Sequence, residues 1–333
     1  MMTVFTASAL GQISGTGNIE ASFIRAFTQE VLAEFEAVTQ ITDIIPKRAL
    51  KPGNIGERFP VLTAKTARYM ATRGIEVTGQ NQVQKVYRTV SVDRPEYTDE
   101  FIDDQDGKFE EFDVRSPYSK LMGRALAYRL ESKLMRTAVK AALVADVGTP
   151  GTLGYIPGGK TLLHPNMRTD INTFVTYIQA AAAELDRKNV PSDGRVCFVD
   201  VDTYYSLMNV SLFNNTQTRG ESNPSMAVVG TMYGFTFLKT NFMPSNGIQV
   251  IGATPGTTGI YVGEAGERND YAGNFVKNVG ICMHPMALAQ VVDYDIKTIV
   301  EERPSQLGTL IMAAQANGVG IIDPKLVVAL SVA

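Results

Sequence analysis

Apolar positions along this chain change spacing several times, and each change marks an element. Residues 18–39 place Ile19, Phe23, Phe27, Val31, Phe35 and Val38 every three or four positions, which predicts an amphipathic helix. A polar tail precedes it, and Pro46, Pro52 and Gly53 follow. Those flanks argue for an arm; the alternative is a helix lying on its own domain's core. Phe59–Met70 and Val83–Val92 read as extended, with Val86, Val90 and Val92 on one face. Ten residues of strand reach about 33 Å. The polar stretch Ala71–Gln82, punctuated by Gly74 and Gly79, separates the two and predicts a long hairpin with little apolar surface to dock it. An isolated two-stranded ribbon is marginal in water, so something must cover it, unless it is an ordinary hairpin inside a sheet.

Ser116-Pro117 then supplies an N-cap and a first-turn proline, and only Gly123 interrupts the helical pattern as far as Val147. The result is a helix of about 45 Å. Leu121, Tyr128, Leu134, Met135, Ala138 and Ala142 form its apolar stripe. Arg115, Lys120, Arg124, Arg129, Lys133, Arg136 and Lys140 put positive charge along the rest, as a solvated face or as partners for neighbouring acids. From Asn166 to Gly280 helices and strands alternate: a helix over Thr169–Lys188, a strand over Arg195–Val201, a helix capped by Asp202 through Met208, and strands over Thr231–Thr240 and Ile248–Gly252. Turns and loops fill Ala253–Asn278. A long strand over Leu288–Val300 and segments over Gly308–Ala316 and Leu326–Val332 complete an α+β pattern.

Composition narrows the chemistry. At 333 residues and 44% hydrophobic, the chain can bury one large core or two moderate ones. A net charge of −3 and a pI near 5.6 argue against gripping nucleic acid through a basic surface. Cys197 and Cys282 sit in apolar strand-like runs, the profile of buried thiols in a reducing compartment. No apolar run is long enough to span a membrane. Met1–Gly17 lacks a basic start and reads as a mobile arm rather than a secretory signal.

One motif does stand out. Gly154-Tyr-Ile-Pro-Gly-Gly159-Lys160-Thr161 fits the phosphate-binding loop pattern at every required position and offers the alternative of a nucleotide-binding enzyme. That mechanism needs a buried strand before the loop and a helix opening at Lys160-Thr161, whose N–H groups cradle the phosphates. Upstream is the long helix. Downstream, Pro165 comes too early for a helix interior, and Pro157 lies inside the loop. The pattern is therefore read as a decoy. Val196–Asp200 resembles a Mg²⁺-binding strand end, as any buried strand ending at a turn does. Cys282 and His284, two apart on a strand, lack an orienting acid. The acidic run of Glu100, Asp103, Asp104, Asp106, Glu110, Glu111 and Asp113 lacks the order of a Ca²⁺ loop and reads as solvated or subunit-facing. No cofactor, metal or catalytic residue is assigned.

An ordered set of weak motifs carries a family resemblance over residues 18–333. It comprises Phe59-Pro-Val-Leu62, then Phe112-Asp-Val-Arg-Ser116-x-Tyr118, then Asn189-Val-Pro191 leading to Arg195-Val196 and Asp200-x-Asp202-Thr-Tyr204. Asn278-Val-Gly-Ile281 with Met283-His284, and Pro324, complete it. In these the chain resembles the major capsid proteins of tailed bacteriophages, the T-seven-like podophage type in particular. The resemblance implies the Hong Kong 97-type fold: an N-terminal arm (1–56), an extended hairpin loop (57–94), a peripheral domain (95–165 and 288–317) and an axial domain (166–287 and 318–333). It implies contacts between subunits through Arg68, Tyr69, Arg73, Gly74, Ile75 and Glu76 of the hairpin and Phe23, Phe27 and Phe35 of the arm. The partners implied are further copies in hexamers and pentamers, a scaffolding protein, a portal at one vertex, a decoration protein, and enclosed double-stranded DNA without sequence-specific binding. Some relatives weld their shells through a lysine–asparagine bond. Lys65 and Lys85 lie in the hairpin, but nothing identifies a partner asparagine or a catalytic acid. A monomeric adaptor is the remaining rival, and it would run at the mass of one chain in sizing.

Overall fold

The structure, a computed structural model, describes residues 19–62, 69, 85–103, 115–149, 155–208, 210, 231–246 and 259–333. The N-terminal tail, the predicted strand over 248–252, the acidic residues beyond Asp103 and most of the hairpin's outer part lie outside these residues.

Two sheets are joined by one long helix. The first sheet holds β1 (Lys47–Ala49), β4 (Glu96–Asp103), β12 (Leu288–Arg303) and β13 (Gly308–Ile321), in the order β1-β12-β13-β4. β12 and β13 pair antiparallel from Leu288↔Ile321 to Arg303↔Gly308, with register shifts between Val292 and Lys297. The second, mixed sheet has six strands in the order β5-β14-β11-β6-β8-β7. These are β5 (Lys160–Leu163), β6 (Val196–Asp200), β7 (Thr231–Met232), β8 (Phe235–Thr240), β11 (Asn278–Met283) and β14 (Val327–Ser331). Its central strands β6, β11 and β14 are buried along almost their whole length because both of their faces are covered. A short ladder of β9 (Ile260–Tyr261) and β10 (Gly273–Asn274) lies apart.

The helix α2 (Arg115–Leu143) bridges the two sheets. Its first half buries Met122 and Leu126 with Ile311 and Ala313 of the first sheet; its second half sends Leu130, Leu134, Met135, Ala138 and Ala142 into the core of the six-stranded sheet. The other wall of that core is α3 (Ile171–Arg187), which buries Phe174, Ile178, Ala181, Ala182 and Leu185 at helical spacing. Asp170 caps it by accepting from the Asn172 N–H at 3.0 Å. A short helix α4 (Val201–Met208) follows β6; it opens at Val201, so Asp202 stands in its first turn rather than at the cap.

Three expectations change here. The predicted strand over Thr231–Thr240 is a tight hairpin, turned by Tyr233 and Gly234 with φ of 51° and 79°, which is the geometry that splits a strand between two-residue hairpin positions. Leu121 faces solvent instead of the core, and Tyr128 lies at the surface with its ring 5.2 Å from that of Phe242. Finally, the arm helix α1 (Ile19–Val38) does not stand free. Phe27 and Val31 are fully enclosed against Met122, Leu126, Ile311 and Ala313, and Phe35 is half-buried on both adjoining clusters. Burying such side chains stabilises by about 1.5–3 kcal/mol each. Phe27 thus has no surface left for another subunit; the side chain of Phe23 lies outside the described residues.

A buried carboxylate fixes the end of the arm. Glu131 of α2 accepts the N–H groups of Gln40, Ile41 and Thr42 at 2.9, 3.0 and 3.2 Å, and the Thr42 hydroxyl at 3.0 Å. Burial pushes its pKa up and these donors pull it down; burial prevails, so the value is raised.

Candidate assembly element: the hairpin stem and its anchor

The hairpin stem consists of β2 (Gly56–Leu62) and β3 (Lys85–Ser91), antiparallel from Gly56↔Ser91 to Leu62↔Lys85 and paired with no other described strand. Its root has an apolar seat that sequence reading did not anticipate: Phe59, Val90 and Val92 pack on Ala289, Val291 and Ala316 of the long strands. The Arg48 guanidinium covers the Phe59 ring at 4.4 Å. Close approach is possible because β13 carries glycine beneath the crossing. A Cβ at Gly318 would overlap the Ser91 carbonyl oxygen and stand 2.8 Å from its carbon.

Polar residues hold the other side. Just past β3, Asp93 is almost wholly buried, and both of its oxygens are occupied. Oδ1 accepts from the N–H groups of Arg268 and Asn269 at 2.8 and 3.2 Å and from Asn269 Nδ2 at 3.1 Å. Oδ2 accepts from Lys133 Nζ at 3.1 Å and the Tyr271 hydroxyl at 2.7 Å. The Asn269 amide also brackets the Ser91 backbone, accepting from its N–H at 3.2 Å and donating to its carbonyl at 2.6 Å. Lys133 bonds Glu96 as well; Glu96 meets Arg129 at 2.7 Å, and Arg129 reaches Glu264. Gln315 Nε2 also donates to Glu96, at 3.0 Å. Next along α2, Arg136 lies 3.7 Å from the centre of the Tyr261 ring.

Electrostatics follow from this burial. Burial lowers the Arg136 pKa, partly offset by Tyr261 and Glu267. It raises that of Tyr271 strongly, and the Asp93 charge adds to the rise. Lys133 and Asp93 each keep 1% of their side-chain surface, so neither charge is solvated and both depend on buried partners, the ammonium on Asp93 and Glu96 together. The sequence leaves the basic stripe of α2 as a solvated face or as partners for acids. At Arg129 and Lys133 it is the second, as it is at Arg124 beside Glu34 and Lys140 beside Asp270, whereas Arg136 covers the Tyr261 ring; the signal is that 129, 133 and 136 repeat at helical spacing. What sequence lacked was the identity of the acids, since Asp93, Glu96 and Glu264 come from two distant segments.

The expected contact residues Arg68, Arg73, Gly74, Ile75 and Glu76 lie outside the described residues, as does Lys65. Tyr69 is described and fully exposed. Of the acidic run, Glu100 and Asp103 lie on β4, which pairs on one side with β13. Among the described residues no group of three or more His, Cys, Asp or Glu could hold a metal, and no helix is long and apolar enough to cross a membrane. Cys282 is buried opposite Cys197 across β11 and β6, and His284 caps the following turn by accepting the Met286 N–H; the two do not form a nucleophile–base pair.

The phosphate-loop pattern has a different use. Lys160 opens strand β5, exposed, with no helix behind it. The loop runs against the end of α2, where Gly159 N–H donates to the Val144 carbonyl at 2.9 Å and Gly158 N–H donates to Asp146 at 2.6 Å. A Cβ at either glycine would collide with the helix-end carbonyls of Ala141 or Val144. The glycines serve helix termination and close packing, so the nucleotide-binding reading fails.

Comparison with known proteins agrees with this architecture. A solved capsid structure of the cyanophage P-SCSP1u superposes with a TM-score of 0.75 at 23% identity, covering 89% of this chain and 88% of that one. The bacteriophage PhiM1 mature capsid superposes at 0.68 with 15% identity, covering 88% and 87%. These establish a phage-capsid fold of the Hong Kong 97 type. In sequence, the major capsid protein of Escherichia phage T7 is 22% identical over 325 residues, 94% of this chain and 92% of the relative. The model of the Gp10A-like major capsid protein family matches residues 58–331, from the hairpin stem to the last strand, and the chain belongs to that family.

Proposed function

We propose that this protein is the wall of a bacteriophage head: many copies assemble, as hexamers and pentamers, into an icosahedral shell around double-stranded DNA. The observation that carries the reading is the hairpin stem, a two-stranded ribbon locked at its root and paired with nothing else described. Beyond such a seated root, a two-stranded ribbon needs a further surface to be stable. A neighbouring subunit supplies one, with the segment around Tyr69 and Arg73–Glu76 as the contact. Burial of apolar area across such obligate interfaces, often more than about 2,000 Å², drives assembly. The β12–β13 sheet with α2 then forms the peripheral part and the six-stranded sheet the axial part around the capsomer centre. A mildly acidic wall does not hold packaged DNA by dense phosphate contacts. A scaffolding protein during assembly in the bacterial cytoplasm, a portal at one vertex and a decoration protein are the partners this reading calls for.

The test replaces residues 73–80 with an Asn-Gly turn, which keeps the strands paired. The subunit should stay soluble with wild-type circular dichroism and melting, while sedimentation of lysate co-expressing the scaffold shows few or fragile shells. Normal particles from a destabilised subunit would place the hairpin in its own domain and refute the intersubunit role.

A further inference from the structure

We infer that Asp93 is the positioning residue that sets the direction in which the hairpin leaves the subunit, an inference that rests on the hairpin's proposed reach to a neighbour. Two kinds of attachment meet at the stem. The apolar seat of Phe59, Val90 and Val92 is non-directional: side chains of that kind can slide or tilt while remaining buried. The Asp93 carboxylate cannot. Its donors arrive from α2 (Lys133), from the backbone of Arg268 and Asn269, and from the side chains of Asn269 and Tyr271. Hydrogen bonds weaken steeply off their preferred angles, so donors from several directions define one orientation.

The backbone on either side is tied as well. Val92 N–H donates to Ile55 at 2.9 Å, Asp93 N–H to Asn317 at 3.1 Å, and Arg94 N–H to Gly266 at 3.0 Å. Pro95 further restricts Arg94 to extended backbone. Orientation matters because the stem is a lever. Seven residues of strand span about 23 Å, so a 10° tilt at the root moves the far end of β2 by roughly 4 Å. That displacement exceeds what a packed interface absorbs.

Asp93→Asn keeps the shape and one acceptor but leaves the Lys133 ammonium with Glu96 alone. Hydrogen–deuterium exchange of the unassembled subunit is expected to accelerate about tenfold in β3 and residues 264–271 while β11 and β14 are unchanged. Shell yield is expected to fall at least severalfold at temperatures where the subunit remains folded. Val327→Ala, a truncation in the six-stranded sheet, supplies a control: at a matched loss of melting temperature it should assemble normally, because it leaves the stem alone. If Asp93→Asn does not fold, Asp93→Asn with Lys133→Met removes the buried ammonium that Glu96 alone would have to hold and takes its place. Unchanged exchange in the stem, or a yield no lower than that of the control, overturns the inference. Normal shells from the 73–80 replacement would instead sink the hairpin's intersubunit role, while the exchange measurement still decides whether Asp93 orients the stem.

Discussion

Replacing Gly318 by alanine tests the seat of the hairpin directly. The added methyl group points into the backbone of the return strand, where Ser91 and Val92 cross β13. It would overlap the Ser91 carbonyl oxygen, with Val92 Cα at 3.0 Å beyond. These are backbone atoms, so no side-chain rotation relieves the clash; the stem must lift by about 1 Å, and overpacking of this sort costs about 1–3 kcal/mol. Lifting also stretches the bond from Asp93 N–H to the Asn317 carbonyl, already 3.1 Å long, and its loss adds about 1 kcal/mol. The sum is a destabilisation of about 2–4 kcal/mol. Urea unfolding of the unassembled subunit, followed by circular dichroism, reads this as a lower midpoint at unchanged slope. Gly266→Ala is the matched control. Its Cβ would meet only Arg94 Cβ, at 3.6 Å, an ordinary contact, and its stability should stay within about 0.5 kcal/mol of wild type. A Gly318→Ala subunit as stable as the Gly266→Ala one would refute the close crossing and the seat built on it.

The loop that imitates a phosphate site should respond in the reverse order to a true one. Lys160→Ala should leave folding, assembly and nucleotide titration unchanged, whereas Gly159→Ala, which drives a methyl group into the Ala141 carbonyl, should destabilise the subunit by about 1–3 kcal/mol; nucleotide binding abolished by Lys160→Ala would revive the enzyme reading. At Glu131, alanine should cost about 2–5 kcal/mol by stranding three backbone donors, and glutamine much less. Because folding raises the Glu131 pKa, the stability it contributes below its unfolded value is lost as pH rises through the folded value. Urea midpoints between about pH 4 and pH 8 should therefore move in favour of Glu131→Gln as pH rises, and a flat difference would show that burial does not dominate there.

Local pattern determined most of the elements. Spacing alone placed α1 within a residue at each end, and placed α2 with an overrun of one turn past Leu143, because helical periodicity and the Ser116-Pro117 start are properties of a few consecutive residues. The absence of helix potential after Lys160 is legible for the same reason, and by itself it argues against a phosphate-binding loop. The split of Thr231–Thr240 was missed because Met232, Tyr233 and Phe235 keep an apolar run going through a turn that only Gly234 betrays.

Partnership was decided by tertiary structure. The sequence displayed seven cations along α2 but not that Lys133 would be sealed from water beside Asp93 and Glu96, since burial depends on what the rest of the chain lays over a helix. It showed an amphipathic arm, but whether its apolar face met a neighbour or its own subunit depended on a groove made by residues some ninety and three hundred positions away, around Met122 and Ile311. The hairpin's seat was hidden for a related reason. Three apolar side chains look too few to dock a ribbon, until Gly318 lets two backbones come close enough for those three to suffice. A one-dimensional pattern reports which faces are apolar; only the folded chain reports which of them have already been used.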